Sequence, residues 1–258
     1  MNEVQRLLAP GEPEPVSVYN GNASSPFLLV ADHAGRAIPR ALSLLGVAPA
    51  ELTRHIAWDI GIDGLGPMLA DAMGATLIQQ NYSRLVIDCN RPPGVPASIP
   101  EISELTKIPG NLDLTDADKA VRANEIFWPY HECIDAELDR RSHAGLATAL
   151  IALHSFTPVF KGVARPWHCA LLYHHDPRLA QTLIALLKKE PGLIVGDNEP
   201  YFVSDATDYT IPAHGERRGL PHALIEIRQE LIADQKGQRD WASRLARLLP
   251  LAYGEMSA

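Results

Sequence analysis

Short, unbroken apolar runs that end in polar residues able to do chemistry constrain this chain most. Phe27-Leu28-Leu29-Val30 leads into Asp32-His33-Ala34-Gly35, and Ala149-Leu150-Ile151-Ala152-Leu153 leads into His154-Ser155-Phe156. Ala223-Leu224-Ile225-Glu226-Ile227-Arg228 is apolar except for one embedded glutamate and the closing arginine. Runs of this length without polar alternation suit strands buried on both faces, as in parallel sheets covered by helices. Further strands are predicted at residues 16–19, 75–78, 85–88, 169–173 and 193–195. Helical spacing falls between them. Residues 59–73 place Ile60, Ile62, Leu65, Met68, Leu69 and Met73 at helical intervals, with Gly74 as C-cap. Thr115-x-x-Asp118 resembles a capping box with Asp in the Glu position, and the helix it opens is expected to reach about Arg141. Asp176-Pro177 begins another helix, ending near Pro191-Gly192, and residues 241–249 form the last. Strands alternating with helices predict an α/β fold, a three-layer α/β/α sandwich around a central mixed sheet.

The chain's 258 residues and 46% hydrophobic content allow a core of normal size without disulfides or a structural metal. Residues 1–25, rich in Pro, Gly, Asn and Ser, read as an irregular N-terminal arm with one short strand. Residues 26–258 read as a single domain without internal repeats. Two long polar segments, 94–114 and 196–220, read as loops, and the first has the length of an active-site cover. Formal net charge is -8, which argues against nucleic-acid binding, since that requires Lys/Arg to displace counterions. Cys89, Cys133 and Cys169 are odd in number and lack a C-x-x-C, so neither a disulfide framework nor a thiolate zinc site is expected. A cytoplasmic protein without signal peptide or membrane span is the simplest expectation.

His33 and His154 follow buried runs, and Glu226 has apolar neighbours on both sides. A hydrolytic zinc site needs neutral imidazoles, usually one carboxylate, an open position for water and a nearby acid/base. The carboxylate is Asp59, at the start of the next helix, or Asp32 beside His33. Each residue also has an ordinary reading: a lone His after a strand is more often a hydrogen-bonded turn residue. A buried Glu226 would instead pair with a cation such as Arg228, which alternation puts on the same face.

Asp32-His33-Ala34-Gly35, Ser83-Arg84-Leu85-Val86-Ile87-Asp88-Cys89-Asn90-Arg91-Pro92-Pro93, Leu153-His154-Ser155-Phe156 and Ile225-Glu226-Ile227-Arg228-Gln229-Glu230-Leu231 together resemble the N-formylglutamate amidohydrolase family. The resemblance spans roughly residues 27–231, and the segment around Asn90-Arg91 is its most specific part. It extends more widely to zinc carboxypeptidases and aspartoacylases, and so implies a zinc-exopeptidase-like (phosphorylase/hydrolase-like) sandwich. The chain departs from their His-x-x-Glu ligand pair, because position 36 is Arg36. In zinc muramoyl-alanine amidases a carboxylate at the start of the following helix takes that place, which points to Asp59. The resemblance therefore implies zinc, or another divalent metal, on His33, Asp59 and His154, with Glu226 as general base. On the substrate side it implies Arg91, with Arg84, holding carboxylates through paired guanidinium hydrogen bonds. Asn90 and Arg165 complete that set.

Lys161, Arg165 and His168 lie in a Pro/Gly-containing segment and read first as solvated loop residues. Tyr209, His214 and His222, before the Glu226 strand, are weaker candidates. His174-His175 cannot share an ion if both lie on a strand, where neighbours face opposite ways. Cys169 beside His168 is a poor nucleophile pair and reads as a buried strand residue, and Ser155 lacks a nucleophile elbow. The expected activity is hydrolysis of an N-acylated acidic amino acid, with N-formylglutamate giving formate and glutamate. The alternatives are a non-catalytic binder of acidic metabolites on the same fold and a zinc amidase acting on peptidoglycan fragments. Oligomeric state is not legible.

Overall fold

The computed structural model describes residues 6–256. In chain order the strands are β1 (Val16–Tyr19), β2 (Phe27–Ala31), β3 (Thr76–Gln80), β4 (Ile102–Ser103), β5 (Thr106–Lys107), β6 (Ala149–Phe156), β7 (Val159–Phe160), β8 (Val163–Ala164), β9 (Cys169–Leu172), β10 (Val195–Asp197) and β11 (His222–Arg228). The helices are α1 (Ile62–Met73), α2 (Asp116–Arg122), α3 (Trp128–His143), α4 (Arg178–Leu187) and α5 (Gln235–Met256). Seven strands form one mixed sheet in the order β1-β3-β2-β6-β11-β9-β10. Strands β3, β2, β6 and β11 run parallel, while β1 and β9 pair antiparallel with β3 and β11. Strands β4–β5 and β7–β8 are separate small hairpins.

Every residue of β2 and β6 is buried, as their unbroken apolar runs require. Alternation divides them between two cores. Leu29, Ile151 and Ile225 pack with Leu65 of α1, Leu183 of α4 and Leu245 of α5. Leu28, Leu150 and Leu224 pack with Tyr130, Ile134 and Leu138 of α3. Burial of each such side chain contributes about 1.5–3 kcal/mol, and together they hold the sheet between its two layers. The result is the expected three-layer α/β/α arrangement.

Several expected elements differ. Residues 85–88 are a buried turn, not a strand: Val86 N–H donates to Ser83 (2.9 Å) and Asp88 N–H to Ser98 (2.7 Å). The carbonyls of Leu85 and Val86 accept from the side chains of Asn111 (2.9 Å) and Arg122 (3.0 Å), so their backbone is satisfied without a ladder. The capping box at Thr115 and Asp118 is present, and the helix it opens passes through a π turn at Ala123–Phe127 and ends at His143. Helix α5 begins six residues before Trp241, its first turn supported by Asp234, whose carboxylate accepts from Gly237 N–H (2.8 Å). A π turn at Ile211–Glu216 interrupts the loop expected at 196–220. Helix α1 starts at Ile62, three residues late, because Gly61 has φ +88° and a Cβ there would lie 2.2 Å from the Ile232 carbonyl oxygen. That delay leaves Asp59 in a turn whose N–H donates to the His33 carbonyl (2.8 Å). Gly35 has a similar reason: a Cβ there would lie 2.0 Å from the Asn81 carbonyl carbon. Among the described residues no helix is long and apolar enough to cross a membrane.

Candidate active site

His33 and Asp59 lie beyond the carboxyl end of β2, and His154 lies inside β6 rather than after it. Parallel register sets His154 directly beside Glu226 of β11. All four are at most 8% exposed, and all line one cavity of about 1360 Å³. The loop expected to act as a cover does line it, with residues such as Val95, Ile99 and Glu104 on its wall.

The donor set fits a divalent cation. A carboxylate only accepts hydrogen bonds, so without metal a ring nitrogen bonded to one carries a proton, and a ligating nitrogen gives that proton up when the ion binds. His33 Nε2 donates to Asp88 Oδ1 (2.7 Å), which leaves His33 Nδ1 as a lone pair, buried and without a partner. It lies 3.5 Å from Asp59 Oδ2, and His154 Nδ1 lies 2.9 Å from the same oxygen. His154 Nε2 donates to Asp32 Oδ2 (3.0 Å). Ligand atoms of His33, Asp59 and His154 all lie within 4.8 Å of one another. Each imidazole thus turns Nδ1 toward Asp59 and has Nε2 tied to a second carboxylate, the outer arrangement that fixes metal-ligating histidines.

Charge tells the same story. Burial opposes a charged His154, yet its hydrogen bonds to Asp32 and Asp59 outweigh it and raise its pKa well above the ordinary value. Burial and then Arg84 act against a charged His33, but Asp88 and Asp59 win and raise it too. The cluster therefore calls for positive charge between these rings and Asp59. Burial pushes the Glu226 carboxyl up to about 7, and its Oε2 is buried without a partner. The alternative pairing with Arg228 does not occur, since Arg228 pairs with Glu230 and reaches the Pro166 carbonyl (3.2 Å).

Asp32 does not share the Nδ1 face. It holds His154 from behind and accepts from Tyr130 (2.9 Å) and Thr210 (2.7 Å). Asp88, inside the segment that carries the family resemblance, was not singled out from sequence, though it organises the site. Besides His33 it accepts from Arg84 Nη2 (2.6 Å) and Nε (3.1 Å) and from Asn90 N–H (2.9 Å). Arg84 also lies 3.6 Å from Asp59. Both of its sides thus face internal carboxylates. Asn90 is equally engaged: its Nδ2 donates to Asp208 (3.0 Å), and its Oδ1 accepts from the Tyr209 and Thr210 N–H groups (3.1 Å each). Arg91 donates to the Thr207 carbonyl and lies 3.6 Å from Asp208 and 4.0 Å from Asp88, partly open to the cavity.

Arg165 is not a solvated loop residue, being only 8% exposed. Lys161 is, at the tip between β7 and β8. His168 Nδ1 accepts from Ile194 N–H (2.9 Å), and His222 is held by Leu220 and Glu216, so both serve the fold. Tyr209 packs on Phe127 and His131, and His214 hydrogen-bonds His131 (2.9 Å). His174 and His175 follow the end of β9 in a bend, where their rings lie 3.7 Å apart, so the opposite-faces argument does not apply to them. With Asp205 they form a second, largely exposed group of possible ligands. Cys169 is a buried strand residue, and the Ser155 hydroxyl donates to the Ile60 carbonyl (3.0 Å).

The solved structure of the gene product Atu2144 from Agrobacterium tumefaciens superposes with TM-score 0.95 at 35% identity, covering 98% of this chain and 100% of that one. An N-formylglutamate amidohydrolase from Ralstonia eutropha JMP134 shares the fold with TM-score 0.61 at 21% identity, over 93% and 96% of the two chains. Among curated proteins none matches the chain. The sequence profile of N-formylglutamate amidohydrolase matches residues 25–233, four-fifths of the length, and the chain belongs to that family.

Proposed function

We propose that this amidohydrolase uses a divalent metal, zinc, to hydrolyse the amide bond of an N-acylated acidic amino acid, converting N-formyl-L-glutamate and water to formate and glutamate. The observation that carries the reading is the buried His33 Nδ1 without a partner, facing Asp59 and His154 while Asp88 and Asp32 hold the far side of each ring. Bound there, the ion would polarise the scissile carbonyl and lower the pKa of a water from about 15.7 toward about 7.

The chain's own groups do the rest. Glu226 Oε2, free of internal hydrogen bonds, takes the proton of the attacking water and returns it to the departing nitrogen as the C–N bond breaks. Asp88 and Asp32 keep both imidazoles in the tautomer that leaves Nδ1 available. Arg84 acts on the substrate only through Asp88 and Asp59, which it neutralises and positions. Arg91, beside Asp88 and partly open to the cavity, holds the carboxylate nearest the scissile bond, and Asn90 fixes the 208–210 backbone that flanks it. The free cysteines suit a cytoplasmic setting.

Glu226→Gln tests the reading, because it keeps the shape but cannot accept a proton. The variant should fold, bind metal and lose about 10²–10⁴-fold in kcat for formate release. A folded, metal-loaded variant with wild-type turnover removes Glu226 from the mechanism. A non-catalytic binder would show no formate release in the wild type.

A further inference from the structure

Outside the catalytic cluster, three further side chains converge on one point. Strand β9 ends at Leu172, and the chain bends before α4 opens at Arg178. The bend brings the rings of His174 and His175 to 3.7 Å from each other, with their planes tilted by 38°. Its backbone is pinned on both sides: Tyr173 N–H donates to Asn198 (3.0 Å) and His175 N–H to Glu216 (2.8 Å). The Asp205 carboxylate lies 3.8 Å from His174 Nε2, too far for a hydrogen bond. Among the described residues neither imidazole hydrogen-bonds another group, and Asp205 has no other polar partner. Ligand atoms of all three lie within 4.8 Å of one another. Two imidazoles and a carboxylate suit zinc, nickel or copper, whereas magnesium and calcium take oxygen ligands. Tetrahedral zinc, about 2.0–2.2 Å from each ligand, needs its donors about 3.4 Å apart. Rotation of three largely exposed side chains closes that difference.

We propose that His174, His175 and Asp205 form a second site for a divalent transition metal, independent of the buried cluster, and that its ion clamps the 204–208 turn to the end of β9. The Ser204 and Thr207 hydroxyls close this turn (2.7 Å), and Asp208 N–H donates to the Ser204 carbonyl (2.9 Å). On its inner side the Thr207 carbonyl accepts from Arg91, and Asp208 accepts from Asn90 Nδ2 (3.0 Å). Thr207 and Asp208 line the catalytic cavity, so the turn is part of the wall that places Arg91. On its outer side Asp205 is exposed and tied to nothing but the shared ion. An ion bridging the turn and the pinned bend restrains that wall from outside. Because the site is exposed and leaves coordination positions to water, it holds its ion less tightly than the buried cluster does, and gel filtration removes it.

Calorimetry with zinc on gel-filtered, zinc-loaded protein tests the site without turnover. The wild type should bind one further ion per chain, and a variant carrying both His174→Ala and His175→Ala should bind none. Asp205→Asn should bind it more weakly, because the carboxylate ligand is lost. His154→Ala should still take up this ion, which separates the site from the buried cluster even if no amide is hydrolysed. Hydrogen exchange of the 204–208 amides should slow when zinc is added to the wild type and stay unchanged in the double variant. No further ion in the wild type, or one that persists in the double variant, overturns the site. Zinc that binds without slowing exchange at 204–208 overturns the clamp.

Discussion

Asp88→Asn isolates the outer carboxylate that orients His33. In the wild type one oxygen accepts from His33 Nε2 (2.7 Å) and Asn90 N–H (2.9 Å), while the other accepts from Arg84 through two nitrogens (2.6 and 3.1 Å). An asparagine keeps only one acceptor. If its oxygen stays with His33 and Asn90, its NH₂ group faces the Arg84 donors, and Arg84 is left with Asp59, now 3.6 Å away. Arg84 then competes for the carboxylate that the metal needs. If the amide flips, His33 loses its acceptor and with it the fixed tautomer. Either way metal affinity should fall about 10- to 100-fold, the usual consequence of losing such a partner, or about 1.4–2.8 kcal/mol. The assay is competition for zinc with a chromophoric chelator, with a melting curve on the same preparation. A folded Asp88→Asn protein with wild-type zinc affinity would refute the outer-carboxylate argument.

Arg91→Lys replaces a fork with a point charge, so kcat/KM on an acylglutamate should fall by the equivalent of about 1.5–3 kcal/mol. An unchanged value would mean that Arg91 only ties down the Thr207–Asp208 segment. Stability should also depend on pH through His131, whose pKa burial and then His214 depress to about 3. Unfolded, it titrates near 6.5, so between those values the unfolded chain binds more protons and stability falls as pH drops. In urea titrations His131→Asn should make that slope shallower by about 1.4 kcal/mol per pH unit, and an unaltered slope would contradict a buried neutral His131.

What was legible in the sequence was whatever burial alone encodes. Strands β2, β6 and β11 announce themselves by apolar runs, and strand order then carries His33, His154 and Glu226 to one end of the sheet. Residues 85–88 look the same by composition, yet they form no ladder, because the acceptors of their backbone are satisfied by Asn111 and Arg122, 26 and 36 positions away. Asp88 escaped notice for a related reason: its role depends on His33, 55 residues earlier, and not on its neighbours. Arg165 read as solvated because its burial is supplied by Tyr201, from another segment of the chain. The choice between Asp32 and Asp59 turned on which nitrogen of His154 each one faces, a matter of side-chain geometry beyond any sequence pattern.

The central claim is that His33, Asp59 and His154 hold a catalytic divalent ion, and metal stoichiometry measured alongside formate release tests it most directly. The purified protein should carry one divalent ion per chain, lose hydrolysis of N-formylglutamate when a chelator removes it, and regain activity when zinc is restored. His154→Ala should carry none. Full turnover by demonstrably metal-free protein, or undiminished metal binding by His154→Ala, would contradict it.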